Sequence, residues 1–315
     1  FGINVPIRIA ALTLRIISEL KKFEDDNIYI IVNTPNIMLT QSISFASRIT
    51  KKHISTSLIV PDIPEFLNTM FGGNRIKRKL ITLINQHNAK LSKKYDKYIL
   101  LTREMNDFYQ LPEHKFMIME GLIDESRVKS QHESKISQKE IILYAGSLAK
   151  VFGIQNLLQV FNTANIKNAE LWLCGTGDAI EDIKQAAKLN SNIKYLGLVS
   201  PERAIELQAQ ATILVNPRTS KNLYTKYSFP SKTLEYLLAG KTVLMNHLPG
   251  IPTEYDSYLF YPDNESIDAW CAKLHEICSM NIYERAKIAA SGRNFILEHK
   301  TATSQCRRII DFISR

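Results

Sequence analysis

The stretch SFPSKTLEYLLAG, residues 228–240, decides how this chain folds and where it binds. Pro230 is suited to open a helix and Gly240 to close it. Between them Leu234, Leu237 and Leu238 form an apolar stripe, while Ser231 and Glu235 stand one turn apart on a neighbouring edge. Such a helix start offers backbone N–H groups and Lys232 to an anion, and a carboxylate one turn deeper can accept both hydroxyls of a sugar diol. The same pattern also describes an ordinary surface helix with a solvated lysine and glutamate. Its flanks argue for the first reading: apolar runs at 212–216 and 242–246 place it in a strand, helix, strand unit, where ligands gather at the carboxyl ends of strands.

Working outward, apolar β-rich runs fall at 28–32, 57–60, 98–101 and 116–119 in the first half. In the second half they fall at 141–145, 171–174, 193–196, 212–215, 242–245 and 258–261. Helical patterns lie between them, the first over about residues 6–22. Strand alternating with helix predicts an α/β protein of two doubly wound, Rossmann-like domains with parallel sheets. KSQHESKISQKE (129–140) is polar and without apolar period, and is the expected join. The domains are therefore placed at residues 1–136 and 137–302, with a last helix over 303–315 crossing back to the first.

Hydrophobic residues make up 45% of the 315 and charged residues 23%, the balance of a globular protein with room for two cores. No run reaches the length of a membrane span. Cys174, Cys271, Cys278 and Cys306 show no CxxC pair, which favours reduced thiols over a metal or redox role. The seven histidines lack the spacing of a catalytic pair, and no Asp-x-Asp occurs to hold a divalent metal. No cofactor is called for. The net charge of +9 is concentrated between Arg75 and Lys97, where eight basic residues face a single acid, Asp96. Interleaved with Ile76, Leu80, Leu83 and Ile84, that stretch reads as a solvated helix face or as a contact for anionic lipid. Nucleic acid ranks last, because no aromatic interleaving or recognition motif accompanies the charge.

NPRTSKNLYTKYSFPSKTLEYLLAGKTVLMNHLPGIPTEY (216–255) resembles the donor-site region of glycosyltransferase family 4 enzymes of bacterial capsule and exopolysaccharide synthesis. EIILYAGSLAKVFGIQNLLQVF (140–161), ELWLCGTGD (170–178) and NIKYLGLVSPERAIELQAQATILVNPR (192–218) are similar to further parts of that family's C-terminal domain. TSLIVPDIPEFLN (56–68), YDKYILLTREM and MIMEGLID are similar to its N-terminal domain, so the resemblance covers nearly the whole chain. It implies a GT-B fold, two Rossmann-like domains facing a cleft. The family is expected to open with a strand and a glycine-rich loop. Here a helix comes first, so the first domain is read as incomplete, through fragmentation or loss of the loop.

The resemblance implies a retaining, metal-independent transfer from a nucleotide sugar, UDP-linked by expectation, to a polyprenyl-linked or glycan acceptor. Such enzymes work at the cytoplasmic face of the plasma membrane as peripheral proteins. The departing phosphate can itself take the acceptor's proton, so cations and N–H dipoles matter more than a dedicated base. Lys232, Arg218 and Lys150 are the candidate phosphate groups, with Gly146 and Ser147 supplying a turn that can bring N–H groups to an anion. Arg218 reads equally as a surface residue at a strand end. The family carries an arginine and a lysine where this chain has Ser147 and Phe152, which makes Lys150 a displaced substitute. The family also carries two glutamates eight positions apart; Glu235 matches the second, near ribose, and Tyr227 stands at the first. Sugar contacts then fall to Tyr227, Ser228, Pro230 and Ser231, and base contacts to Gly197 and Leu198. On the acceptor side the resemblance points to Asp62, preceded by Pro61 rather than the histidine frequent in relatives, and Glu120 either faces the cleft or caps a loop. A catalytically weak nucleotide-sugar-binding or partner subunit is the alternative.

Overall fold

The computed structural model describes residues 4–24, 27–34, 36–63, 86, 89–125, 139–221 and 223–315. The chain divides into two compact units, Phe1–Glu120 with Arg308–Arg315, and Gly121–Arg307. This division falls ahead of the polar stretch 129–140, of which residues 129–138 lie outside the described residues.

The first unit runs α1 (Asn4–Leu20), β1 (Asn27–Asn33), α2 (Ile37–Thr50), β2 (His53–Val60), β3 (Lys97–Leu100), α3 (Asn106–Tyr109) and β4 (Phe116–Ile118). Its sheet has the order β1-β2-β3-β4, every neighbouring pair parallel. Asn36 caps α2 by accepting the Leu39 N–H at 3.1 Å, and Lys51 ends it in the left-handed conformation. Leu58, Val60, Tyr98, Ile99 and Leu100 are wholly buried, as expected where helices cover both faces of a parallel sheet.

The second unit runs β5 (Glu140–Ala145), α4 (Ile154–Ala164), β6 (Ala169–Cys174), α5 (Ile180–Leu189), β7 (Ile193–Tyr195), α6 (Pro201–Gln210), β8 (Ile213–Asn216), α7 (Lys232–Leu238), β9 (Thr242–Met245), α8 (Ile267–Ser279), α9 (Ile282–His299) and α10 (Ala302–Ile313). Its parallel sheet has the order β7-β6-β5-β8-β9. The chain builds outward from β5 through β6 to β7 and then restarts on the other side of β5 with β8. A reversal of this kind leaves a crevice beyond the carboxyl ends of β5 and β8. Alternate residues of β5 feed two cores: Ile142 and Tyr144 pack with α4 and α8, whereas Leu143 and Ala145 pack with α7 and Ile296 of α9.

The last helix has residues in both units. Ala302 N–H bonds to Ile123 O at 2.9 Å and Gln305 to Gly121 O at 2.9 Å, within the second unit. Ile309 and Ile313 pack on Ile99 and Met119, within the first. The run 258–261, expected as a strand, forms only an isolated bridge between Leu244 and Phe260. Its aromatic rings are taken up elsewhere: Tyr258 stacks on Phe295, and the Tyr261 hydroxyl donates to Asp256.

Of the basic stretch, Arg75, Lys77, Arg78 and Lys79 lie outside the described residues. At its end Lys93 lies over the Phe108 ring and Lys97 over that of Phe312, 4.7 and 4.8 Å from the centroids. Among the described residues no helix is long and apolar enough to cross a membrane. Cys174 and Cys271 are buried, and all four cysteines are free.

Glu170 on β6 accepts from Lys139 at 2.8 Å, Lys194 at 2.9 Å and the Trp172 indole at 2.9 Å. The two lysines hold its pKa down at about 2, against 4.5 for a free glutamate. A lowered carboxylate pKa stabilises the fold fully above about 4.5, and that gain disappears as pH falls through about 2. Both lysines are half exposed, so solvent screening limits the gain to about 1–2 kcal/mol. Glu170→Gln should therefore lower stability to chemical denaturation by that amount at pH 7, with the difference shrinking toward pH 2.

Candidate functional site

The crevice at β5 and β8 is shaped first by a tyrosine. Tyr236 of α7 is wholly buried, and its hydroxyl bonds both to the N–H of Ala145, at 3.0 Å, and to its carbonyl, at 3.3 Å. That double tie pins α7 to the last residue of β5. Thr233, Leu234, Leu237 and Leu238 are buried around it, leaving Lys232 and Glu235 as the two residues of α7 that are not. Gly240 ends the turn with φ +64°, as its place in the sequence predicted.

Lys232 lies directly across Gly146. A Cβ at that glycine, whose φ is +146°, would stand 2.2 Å from Lys232 Cε and 2.3 Å from its amine. Beneath the amine is the Tyr144 ring, its centroid 5.6 Å away, while the Tyr144 hydroxyl donates to Ser147 O at 2.8 Å. Gly175 presses against the same loop so closely that a Cβ there would overlap the Gly146 carbonyl. Gly146 N–H bonds to Cys174 O and Gly175 N–H to Gly197 O, at 2.9 and 2.8 Å, so the loops after β5, β6 and β7 form one hydrogen-bonded floor.

Arg218 enters from the end of β8. Its carbonyl accepts from Asn246 Nδ2 at 3.0 Å, and the Trp270 indole fixes the Asn246 amide at 2.7 Å. Its guanidinium donates to Ser228 Oγ at 2.9 Å and lies over two rings, Tyr224 at 4.6 Å and Phe152 at 5.6 Å. Among the described residues, Arg218 Nε and the Tyr224 hydroxyl are buried without a hydrogen-bond partner.

These placements set the electrostatics. Burial lowers the pKa of Lys232, and the neighbouring Arg218 charge lowers it further, while Glu235 and Cys174 act in the opposite direction. Two cations are thus held close together in a partly desolvated crevice with one carboxylate nearby, an arrangement that a bound polyanion would relieve. The solvated-helix reading of Lys232 does not fit this environment.

Other expected residues fall differently. Thr233 N–H bonds to Pro230 O, and those of Leu234 and Glu235 to Ser231 O, so most of the helix-start donors expected to be open are used within the turn. Lys150 is turned away, its amine 3.1 Å from Asp182 on α5 and its N–H bonded to Asp178. Pro230 is buried, Ser147 and Ser231 are exposed, and Tyr227 closes the short helical turn 223–227 that leads to Ser228. Gly197 takes φ +77° and Leu198 is 75% exposed beside it, at the rim. Asp62 and Glu120 belong to the first unit. Asp62 is exposed in the bend after β2, with enough shielding of its carboxyl to raise its pKa, and Glu120 is buried just after β4. The sequence reading did not single out Tyr144, Tyr224 or Tyr236. Phe152 entered it only as a departure from a family pattern. Tyr144, two positions before Gly146, and Phe152, just before Gly153, stand by glycine turns, the available signal, whereas nothing local marks Tyr224 or Tyr236.

Residues 139–279 match the family described as Glycosyl transferases group 1. They include α7, Arg218 and the glycine floor. No curated protein matches the chain by sequence. Solved structures do match by fold. HepE from Anabaena in complex with UDP and glucose gives a TM-score of 0.65 at 14% identity, over 100% of this chain and 83% of that one. A glycosyltransferase from Rickettsia africae gives 0.66 at 14% identity, over 99% and 82%. A TarM variant from S. aureus, bound to fondaparinux, alpha-GlcNAc-glycerol and UDP, gives 0.61 at 12% identity; there 95% of this chain spans 58% of that chain. The architecture is that of GT-B glycosyltransferases, with two Rossmann-like units built on parallel sheets.

The charge arrangement predicts opposite responses at Lys232. By NMR titration of its side chain, Arg218→Ala should move the Lys232 pKa up toward the ordinary lysine value, and Glu235→Gln should move it further down.

Proposed function

We propose that this protein transfers a sugar from a nucleotide diphosphate donor, a UDP-sugar, with retention of configuration and without a divalent metal, to a lipid-linked or glycan acceptor in cell-surface glycan synthesis. The observation that carries the reading is the convergence of Lys232 and Arg218 at the β5–β8 reversal, with Glu235 within electrostatic reach of the lysine. In this reading the two cations take the diphosphate and stabilise the negative charge that grows on it as the glycosidic bond breaks. Glu235, one turn further along α7, accepts the ribose hydroxyls. The glycine floor permits close approach of the donor, and Leu198 at its rim faces the base. Sequence similarity to group 1 glycosyltransferases over residues 139–279 supports the reaction class. UDP in the HepE and TarM structures supports the donor. Asp62 and Glu120 are proposed for the acceptor side, and the basic stretch 75–97 for peripheral contact with the anionic inner face of the plasma membrane.

A binding or partner subunit is the second reading, favoured by Lys150 being tied to Asp182 and by Ser147 and Tyr227 standing where the resemblance expects charged groups. Turnover separates the two. The enzyme reading expects release of UDP from a UDP-sugar panel with a lipid-linked acceptor mixture, insensitive to chelator. Lys232→Ala and Arg218→Ala should lower it about 100-fold or more, the scale of losing a charged contact to a developing phosphate. The subunit reading expects UDP to raise the melting temperature with no UDP released.

Binding alone tests the residue roles. UDP raises the pKa of Lys232, so binding should take up protons between the depressed free value and the bound one, and affinity should fall as pH rises through the free value. Calorimetry in buffers of different ionisation enthalpy should show that uptake in the wild type and not in Lys232→Ala. Preference for UDP over 2′-deoxy-UDP should vanish in Glu235→Gln.

A further inference from the structure

We infer that Tyr224 and Phe152 are positioning residues, which hold the Arg218 guanidinium against their ring faces so that its charge is spent on the second phosphate of a nucleoside diphosphate. The inference rests on the donor-site reading above. Arginines at partly buried sites are commonly oriented by a carboxylate, which fixes the fork but cancels the charge. Arg218 is oriented differently. Among the described residues its guanidinium meets a neutral hydroxyl, Ser228 Oγ at 2.9 Å, and the two rings at 4.6 and 5.6 Å, and no carboxylate. Ring faces attract a cation through their quadrupole and leave its net charge intact. The backbone beneath is fixed as well, through Asn246 and Trp270. The guanidinium is thus held at its backbone and against two ring faces, and among the described residues its buried Nε–H has no hydrogen-bond partner. The charge so held is not cancelled by an acid among the described residues, and an incoming phosphate can pair with it.

The feature also bears on specificity. The Lys232 amine lies against Gly146, just after β5, whereas Arg218 stands just after β8. A monophosphate satisfies one cation, whereas a diphosphate satisfies both. The rings, by fixing the second cation, set the preference for diphosphate over monophosphate.

The experiment compares UDP and UMP affinities by calorimetry in the full chain. Tyr224→Leu and Phe152→Leu should each lower the UDP-to-UMP affinity ratio by about tenfold, the scale of a shielded cation–π contact, with UMP affinity changed less than twofold. Tyr224→Phe keeps the ring and removes a buried hydroxyl that has no partner. It should retain the ratio within twofold and melt no lower than the wild type. The two positions are read independently, so misfolding at one leaves the other as the test. A ratio unchanged in the leucine variants, or an equal loss of UDP and UMP affinity, overturns the clamp and leaves the donor site standing. Failure of the wild type to bind UDP overturns the donor site and the clamp together.

Discussion

One phenol determines where the charges of this protein lie. The Tyr236 hydroxyl is tied to both polar groups of Ala145, and burial keeps it protonated, so it can donate and accept at once. The N–H and carbonyl of Ala145, buried at the carboxyl end of a central strand, would otherwise lack these partners. By satisfying them from inside α7, the tyrosine ties the helix to the end of β5, and Lys232 of that helix lies across Gly146. Ring, glycine and amine form one stack, and moving any of them moves the cation. This is positioning by packing and hydrogen bonding of neutral groups, which tolerates the burial that an isolated ion pair would resist.

The crevice carries its positive charge under electrostatic load. Lys232 and Arg218 repel each other, desolvation penalises the amine, and Glu235 offsets only part of this. Elsewhere the second unit neutralises its charges: Arg285 is paired with Glu140, Lys139 and Lys194 with Glu170, and Lys300 with Glu254. These scaffold cations are matched to acids, while in the crevice Lys232 carries a depressed pKa beside Arg218.

Much of this was legible in the sequence because it depends on short-range rules. The strands at 141–145, 171–174 and 242–245 were readable from apolar runs bounded by glycine or polar turns, and α7 from its proline, leucine spacing and glycine. The candidate run at 258–261 had the right composition for a strand, but Tyr258 stacks on Phe295 of α9 and Tyr261 bonds to Asp256, leaving only the bridge at Phe260. Lys150 illustrates a different limit: sequence places it near the right loop, but Asp182, 32 positions on in α5, decides where its amine points. Phe152 and Tyr224 lie 72 positions apart, and nothing local to either announces that one arginine lies against both.

The closing helix has a practical corollary for dissecting the molecule. Its early residues are hydrogen-bonded to the strand-like segment at Gly121–Ile123, and its late isoleucines cover Ile99 and Met119. A cut after Glu120 would strip the amino-terminal lobe of part of its own interior, which is encoded at the far end of the polypeptide. Separate expression of the lobes calls for a circularly rearranged gene, with residues 308–315 grafted onto the piece they complete.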